Sequence, residues 1–317
     1  MRILFITSTR IGDAILSTGL LNYLMEKHPK AQVTIACGSL AAPLFQHFPG
    51  LSEIIELKRR RFSYHWVDLW RRCVGKRWDI IVDLRGSALS YLLRCGRRYV
   101  WRSQGSSAHR VQQLASLFGL KNTPPAPTVW VGNEEIQKAE RLLPRDRTYI
   151  GIGPAAHWTG KEWPQENFRD LLLKLTAPLG LFPNAEIVVF AAPHEKARIR
   201  PLVDALQKDR IVHDFSGDLS LLEVAACLKL CVLYVGNDSG LMHLSAACET
   251  PTVGLFGPSN RHHYAPWGSH CRFAQTDIPY EELILYNHLQ ESLLTSLSVR
   301  KVEETILDLL AHQRKKA

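Results

Sequence analysis

The sequence predicts an α/β protein built from two consecutive doubly wound units. Three observations predict it. Short apolar runs alternate with helix-period segments along most of the chain, which is the signature of parallel βαβ units. The 317 residues are too many for one typical core and suit two domains of roughly 150 residues each. The pattern halts at residues 122–127 (NTPPAP), a stiff stretch with three prolines, and then starts again.

Residues 2–8 (RILFITS) read as the first strand. A helical pattern follows with Ala14, Leu16, Leu20, Leu21 and Leu24 as its apolar positions, and His28-Pro29 ends it. Residues 32–37 (QVTIAC) and 53–57 (EIIEL) are the next strands, 64–73 a helix, and 79–84 (DIIVDL) a buried strand. Residues 87–93 look helical and 99–101 form a short strand. Past the prolines come strands at 149–154 (YIGIGP), 186–192 (EIVVFAA), 210–215, 232–235 and 252–256. Helices are expected between them at 168–175, 196–206, 222–228 and 241–248, with a final amphipathic helix at 299–310. The expected domains are therefore 1–145 and 146–297, followed by a terminal helical segment, 298–317.

Doubly wound sheets bind ligands outside the carboxyl ends of their strands, and two such domains make the cleft between them the default site. Arg10-Ile11-Gly12-Asp13 lies just past the first strand. Gly12 suits a tight turn. Asp13 reads either as an N-cap, a contribution of about 1 kcal/mol, or as a general base for an acceptor hydroxyl. In residues 235–243 (VGNDSGLMH) a strand ends in a polar turn and runs straight into a helix. The N–H groups of Ser239, Gly240 and Leu241 at such a start attract phosphate through hydrogen bonds and the helix dipole. His243, one turn further, either touches the same phosphate or packs beneath it.

Residues 158–164 (WTGKEWP) place Lys161 in a loop after a strand, where it serves as a point charge for a diphosphate or stays in solvent between packing tryptophans. Pro164 suits the first turn of the next helix. Glu195, after another strand, either accepts bonds from ribose hydroxyls or is a surface residue at a helix start. Residues 257–260 (GPSN) read as a loop over the cleft. No G-x-G-x-x-G, P-loop or G-x-S-x-G is present, which argues against those dinucleotide, NTPase and hydrolase fingerprints. Without a D-x-D motif, nothing supports a metal held by one, and leaving-group charge falls to Lys161 and backbone dipoles.

The formal net charge of +9 favours anionic partners. The excess lies mainly in the first half, at Arg59, Arg60 and Arg61, at Arg71 and Arg72, and at Arg94, Arg97 and Arg98. These runs lack a nucleic-acid-binding motif, so phosphorylated lipid or nucleotide is the expected partner rather than nucleic acid. Seven cysteines, an odd number with no C-x-x-C, indicate a reducing compartment with neither a disulfide framework nor a zinc site. The apolar run at the start reaches only Ile6, too short for a signal peptide, so a cytoplasmic location is expected.

The R-x-G-D opening, the K-x-W-P loop and the D-S-G-x-x-H turn followed by F-G-P, in that order from Arg10 to Pro258, resemble glycosyltransferase family 9, the bacterial lipopolysaccharide heptosyltransferases. The resemblance implies a GT-B fold, two Rossmann-like domains facing across a cleft, with an N-terminal acceptor domain and a C-terminal donor domain. It implies inverting transfer of a heptose, with ADP-heptose as the donor and a lipopolysaccharide core acceptor at the inner face of the bacterial inner membrane. It brings no cofactor. Asp13 aligns with the family's base and Lys161 with its diphosphate lysine. Asp238, Ser239, Gly240 and His243 align with its donor turn, Glu195 with its ribose acid, and Leu219 with a backbone contact to the nucleotide base. Arg10, Gly12 and the arginine clusters at 59–61 and 94–98 are the candidates for holding an anionic glycolipid acceptor and an anionic membrane surface. The final helix is expected to cross back to the N-terminal domain. The segment before Lys161, Ala155-Ala156-His157, lacks small hydroxyl residues seen in some members. Two rival readings stay open, a nucleotide-sugar epimerase of the same fold and a non-catalytic sugar-nucleotide sensor.

Overall fold

A computed structural model describes residues 1–58, 64–102, 105, 107–286 and 291–314. The chain divides into two compact units, Met1–Trp130 and Val131–Ala317.

The first unit holds strands β1 (Arg2–Ile6), β2 (Gln32–Cys37), β3 (Leu51–Glu56), β4 (Trp78–Asp83) and β5 (Cys95–Val100) in one sheet of order β3-β2-β1-β4-β5. All pairings are parallel. The central strand β1 is buried at every position but its first, as a parallel strand covered on both faces must be. Helices α1 (Ile11–Ile15), α2 (Thr18–Lys27), α3 (His65–Cys73) and α4 (Arg110–Ala115) surround the sheet.

The single helix expected after β1 is in fact two. Between them the Ser17 hydroxyl donates to the Ala14 carbonyl at 2.7 Å and lies 2.8 Å from Thr7 Oγ1. Such side-chain bonds to the backbone compete with helix continuation. Gly12 lies inside α1 and not at a left-handed turn, so a tight turn is not its role. The proline stretch is packed rather than a bare linker. A Cβ at Gly19 of α2 would sit 2.4 Å from the Pro125 carbonyl oxygen, and the Thr128 N–H donates to Thr18 Oγ1 at 2.8 Å. The segment read as helical at 87–93 is a 3-10 turn, Ala88–Tyr91. Helix α4 escaped the sequence reading because it spans only six residues.

The second unit begins with α5 (Asn133–Leu142). It continues through β6 (Tyr149–Gly153), α6 (Gln165–Leu175), β7 (Glu186–Val189), α7 (Lys196–Gln207), β8 (Val212–Asp214) and α8 (Leu221–Leu228). Then come β9 (Leu233–Asn237), α9 (Gly240–Ala247), β10 (Thr252–Phe256), α10 (Arg261–Tyr264), β11 (Cys271–Gln275), α11 (Tyr280–Leu283) and α12 (Val299–Arg314). The sheet order is β11-β10-β9-β6-β7-β8, again all parallel.

The division falls at 130/131 and not at 145/146, because α5 packs on α8, where Lys138 reaches Glu223 at 2.7 Å. Strand β11, absent from the sequence reading, lies at the sheet edge with Arg272 and Gln275 breaking its apolar run. The final helix corrects another expectation. Val302, Ile306 and Leu309 of α12 are fully buried in the core formed by β6, β7, β9, β10 and α6, so its apolar face belongs to the second unit. Pro164 sits at the N-cap of α6, one position ahead of its first turn.

Each sheet has one place where the strand order reverses. In the first it lies between β1 and β4, and in the second between β6 and β9. The connections leave such a crevice in opposite directions, which opens the sheet's carboxyl edge to a ligand.

Candidate functional site

In the first unit, the β1/β4 crevice opens into a recess of about 280 Å³ lined by Thr7, Ser8, Thr9, Arg10 and Asp13 after β1, Leu84 and Arg85 after β4, and Trp101, Arg110 and Leu114. Asp13 is half-buried in α1. Arg10, not Asp13, holds the N-cap position of that helix, so a capping role for Asp13 does not apply.

Asp83, fully buried at the end of β4, builds the next wall. Its carboxylate accepts the Arg85 and Ser87 N–H groups at 2.9 Å each and the Ser87 hydroxyl at 2.5 Å. Gly86 completes this turn at φ +63°, a conformation that favours glycine. The turn presents Arg85, whose guanidinium lies 5.2 Å from the Trp66 ring centroid. Beside it, burial and the Arg85 charge hold His65 below the ordinary imidazole range. The His109 side chain caps α4 by accepting the Val111 N–H at 3.2 Å, which fixes Arg110 at the first helical position. Arg110 stacks on Trp101 at 4.7 Å and donates to Gln113 at 3.2 Å. Three arginines and one aspartate thus share a recess with a tryptophan wall.

The arginines singled out from the sequence fall elsewhere, apart from Arg10. Arg59, Arg60 and Arg61 lie outside the described residues. Arg94 precedes β5, so it is at the amino edge of the sheet, while the recess is at the carboxyl edge. Arg97 is exposed in mid-strand. Arg98 donates to the Ser90 and Leu93 carbonyls at 2.7 and 3.1 Å and stacks on Tyr91 at 5.2 Å, which commits it to the local turn. Arg85 and Arg110 were missed, although the position of Arg85 directly after DIIVDL is a signal of the same kind as that of Asp13 after RILFITS.

In the second unit, the β6/β9 crevice is closed by Asn237, which is fully buried. Its amide donates to the Pro154 carbonyl at 2.8 Å and accepts the Trp163 N–H at 3.0 Å, tying the end of β9 to both ends of the lysine loop. Lys161, in the 3-10 turn Thr159–Lys161, reaches Asp238 Oδ2 at 2.6 Å. Trp163 is core, with its indole N–H on the Leu297 carbonyl at 2.8 Å. Glu162 is buried and accepts the Ala156 N–H at 2.9 Å, with Arg198 at 2.7 Å. Burial raises its carboxyl above the ordinary range despite those two partners.

Ser239 is the N-cap of α9 yet makes no side-chain cap bond. Its buried hydroxyl and that of Tyr234 lie close together, and neither finds a well-formed hydrogen-bond partner. Burial pushes the Tyr234 phenol upward. The Tyr234 ring occupies the space over Gly153 and Gly236, where a Cβ would come within 2.0 and 2.5 Å of its oxygen. Gly240 opens the helix, and His243 is buried beside Tyr264, ring centroids 6.4 Å apart.

Glu195 is buried and not a surface residue. Its Oε2 closes its own turn on the Ala192 N–H at 2.8 Å, and its Oε1 lies 3.8 Å from Arg198. Arg198 therefore links Glu195 to Glu162 next to Lys161. Leu219 is half-buried just before the Ser220 cap of α8. The turn that carries it meets the Glu195 turn through the Gly217 N–H on the Ala191 carbonyl at 2.9 Å. The crevice thus gathers Lys161, Asp238, Ser239 and Gly240, with Glu195 and Leu219 on adjoining loops.

The family model for glycosyltransferase family 9 (heptosyltransferase) matches residues 97–282 of the chain. The lipopolysaccharide heptosyltransferase 1 of Salmonella typhimurium is 35% identical over 296 residues, covering 82% of this chain and 89% of the relative. The solved structure of a family 9 glycosyl transferase from Veillonella parvula superposes with a TM-score of 0.81 at 20% identity, covering 98% of this chain and 97% of the other. The E. coli ADP-heptose lps heptosyltransferase II gives a TM-score of 0.76 at 20% identity over 99% and 100%. At such identities the two structures speak for the fold, which is GT-B.

Proposed function

This chain belongs to glycosyltransferase family 9, and on that premise we propose that it transfers a heptose from ADP-heptose to an anionic glycolipid of the lipopolysaccharide core. Of the three readings open from the sequence, family membership favours the transferase over the epimerase and the sensor. The observation that supports the assignment of substrates is the chemistry of the two crevices. One carries Arg10, Arg85 and Arg110 around Asp13, suited to an acceptor with carboxylates or phosphates near the attacking hydroxyl. The other carries a lysine, an uncapped helix start and buried hydroxyls without well-formed partners, suited to a diphosphate.

The reaction is a single displacement with inversion. Asp13 takes the proton of the acceptor hydroxyl as its oxygen bonds to the anomeric carbon, and the bond from that carbon to the diphosphate oxygen breaks. Lys161, leaving Asp238 for the phosphate, and the first N–H groups of α9 stabilise the negative charge on the departing nucleotide. Glu195 and the Leu219 loop hold the nucleoside, and His243 supports the phosphate from below.

Among the described residues no helix is long and apolar enough to cross a membrane. The enzyme works as a peripheral protein at the anionic inner face of the inner membrane, a reading supported by its net charge of +9. Asp13→Asn tests the chemistry. The variant keeps its thermal stabilisation by ADP and loses transfer by about 10²-fold or more; turnover close to wild type refutes the base.

A further inference from the structure

Helix α3 turns a second apolar face to solvent. Leu69 and Cys73 pack inward with Leu4, Ile6, Ile81, Leu89 and Leu93, and Trp66 lies half-buried against them. At about 100° per residue, Val67, Trp70 and Val74 fall on an adjoining arc roughly 60° wide, with Arg71 and Tyr64 beside it. Tyr64 is 58% exposed, Val67 39%, Trp70 37% and Val74 37%. Solvent-facing arcs of helices are ordinarily polar, and an apolar stripe with basic neighbours marks an interaction surface. The turn Ala88–Tyr91 anchors Leu89 in the same cluster as α3, so the two cover one face of the sheet. From that turn Tyr91 and Leu92 also project into solvent.

Around these side chains Arg71, Arg77 and Arg94 are exposed. The nearby acid Glu53 is engaged by both Arg72 and Lys76. The surface therefore combines aromatic rings and small apolar side chains with an excess of cations, Asp68 of α3 being the acid at its margin.

We propose that this face of the first unit is a docking surface for an anionic lipid bilayer. Trp70, Tyr64 and the two valines enter the interfacial layer, and the arginines lie on lipid phosphates. Charge complementarity favours this occupant. A second copy docked face to face through a two-fold axis would set the same arginines against one another. The proposal rests on the reading of the chain as a transferase for a lipid-borne acceptor, and it gives Arg94 a lipid contact in place of an acceptor contact, while Arg97 pairs with Ile80 on the opposite face of the sheet.

The test is co-sedimentation of the full chain with vesicles of phosphatidylcholine alone and with about one third phosphatidylglycerol. Wild type partitions onto the anionic vesicles. The triple variant Val67→Ser/Trp70→Ser/Val74→Ser, altered only on the outward arc, loses at least tenfold of that partitioning, and Arg71→Glu loses about fivefold or more. If the triple variant melts early, Trp70→Ser alone is measured and the loss is again expected. Partitioning unchanged by these substitutions, or absent in wild type, overturns the proposal. So does sedimentation velocity in which the triple variant breaks a dimer while vesicle binding stays intact. Transfer to a deacylated, water-soluble acceptor separates the two readings. It stays at wild-type level in the triple variant, whereas Asp13→Asn abolishes it whether or not the surface assignment holds.

Discussion

Lys161 and Asp238 form an ion pair of 2.6 Å, Nζ to Oδ2, where the lysine loop meets the end of β9. Asp238 is 9% exposed and Lys161 25%. The lysine is thus held at the crevice with its charge balanced by a carboxylate, which on the proposed reading a diphosphate replaces. Once that exchange has taken place, the lysine is in position to stabilise the leaving group as its charge develops.

Removal of the lysine is the direct check on that role. Lys161→Ala lowers kcat/KM by about 10²–10³-fold, the usual cost of one preorganised donor. It also shrinks the rise in Tm given by ADP, because stabilisation by a ligand follows its affinity. Steady-state kinetics and thermal melts with ADP measure both. Values within a few-fold of wild type place Lys161 outside the leaving-group site.

Asn237 sets the geometry in which that pair operates. Substitution to Ala leaves the Pro154 carbonyl and the Trp163 N–H unpaired in a fully buried place. Each orphaned group costs about 1–3 kcal/mol, so Asn237→Ala loses about 2–6 kcal/mol of unfolding free energy. Urea unfolding followed by tryptophan fluorescence reads the loss. The variant also binds ADP more weakly, since the Lys161 loop is no longer tied to β9.

The sequence-level reading was strongest where local chemistry and topology coincide. YIGIGP and VLYVGNDSG are buried strands followed by polar turns, and their parallel pairing at β6/β9 brings Lys161 to Asp238. Charge density was a weaker guide. Arg94 and Arg98 belong to an obvious cluster, but a strand advances about 3.3 Å per residue, so Arg94, just ahead of β5, lies roughly 20 Å from the edge where Trp101 lines the recess. Arg110 carried no local signal. Its position depends on a six-residue helix and a histidine cap, and on a tryptophan nine residues earlier in the chain that only the fold brings under its guanidinium. The last helix was misjudged because an amphipathic pattern reveals that a face is buried, not which core receives it.

Acid sensitivity follows from the carboxylates of the second unit, with opposite signs. For Glu223 burial alone would raise the carboxyl, but bonds from Lys138 and Ser220 bring it below its ordinary value near 4.5. Its stabilisation is therefore present above about 4.5 and is lost as pH falls through the lower folded value. Glu162 is raised, chiefly by burial, so its contribution is complete below about 4.5 and is lost as pH rises through the higher folded value. Glu223→Gln flattens the fall in unfolding free energy on the acid side, by less than about 1 kcal/mol because Lys138 is 40% exposed. Glu162→Gln removes the loss on the rising side. Denaturant unfolding across a pH series checks both slopes, and a change of the same sign in both variants contradicts the assignment.

The recess in the first unit distinguishes two sets of arginines for the acceptor. The Arg110 guanidinium lies 4.7 Å from the Trp101 ring centroid and lines the pocket that contains Asp13, whereas Arg94 is at the other edge of the sheet. A lysine keeps the charge of Arg110 but not the planar fork or the stacking, so Arg110→Lys is not a conservative change. It raises the acceptor KM by about tenfold, the loss of one bidentate, charge-assisted contact. The ADP-dependent rise in Tm stays the same if, as proposed, the donor site is in the other unit. Arg94→Ala leaves the KM for a water-soluble acceptor unaltered. If Arg94→Ala proves the costlier of the two, the acceptor lies along β5 rather than in the β1/β4 crevice, and the pairing of Asp13 with Arg10, Arg85 and Arg110 as one binding site fails with it.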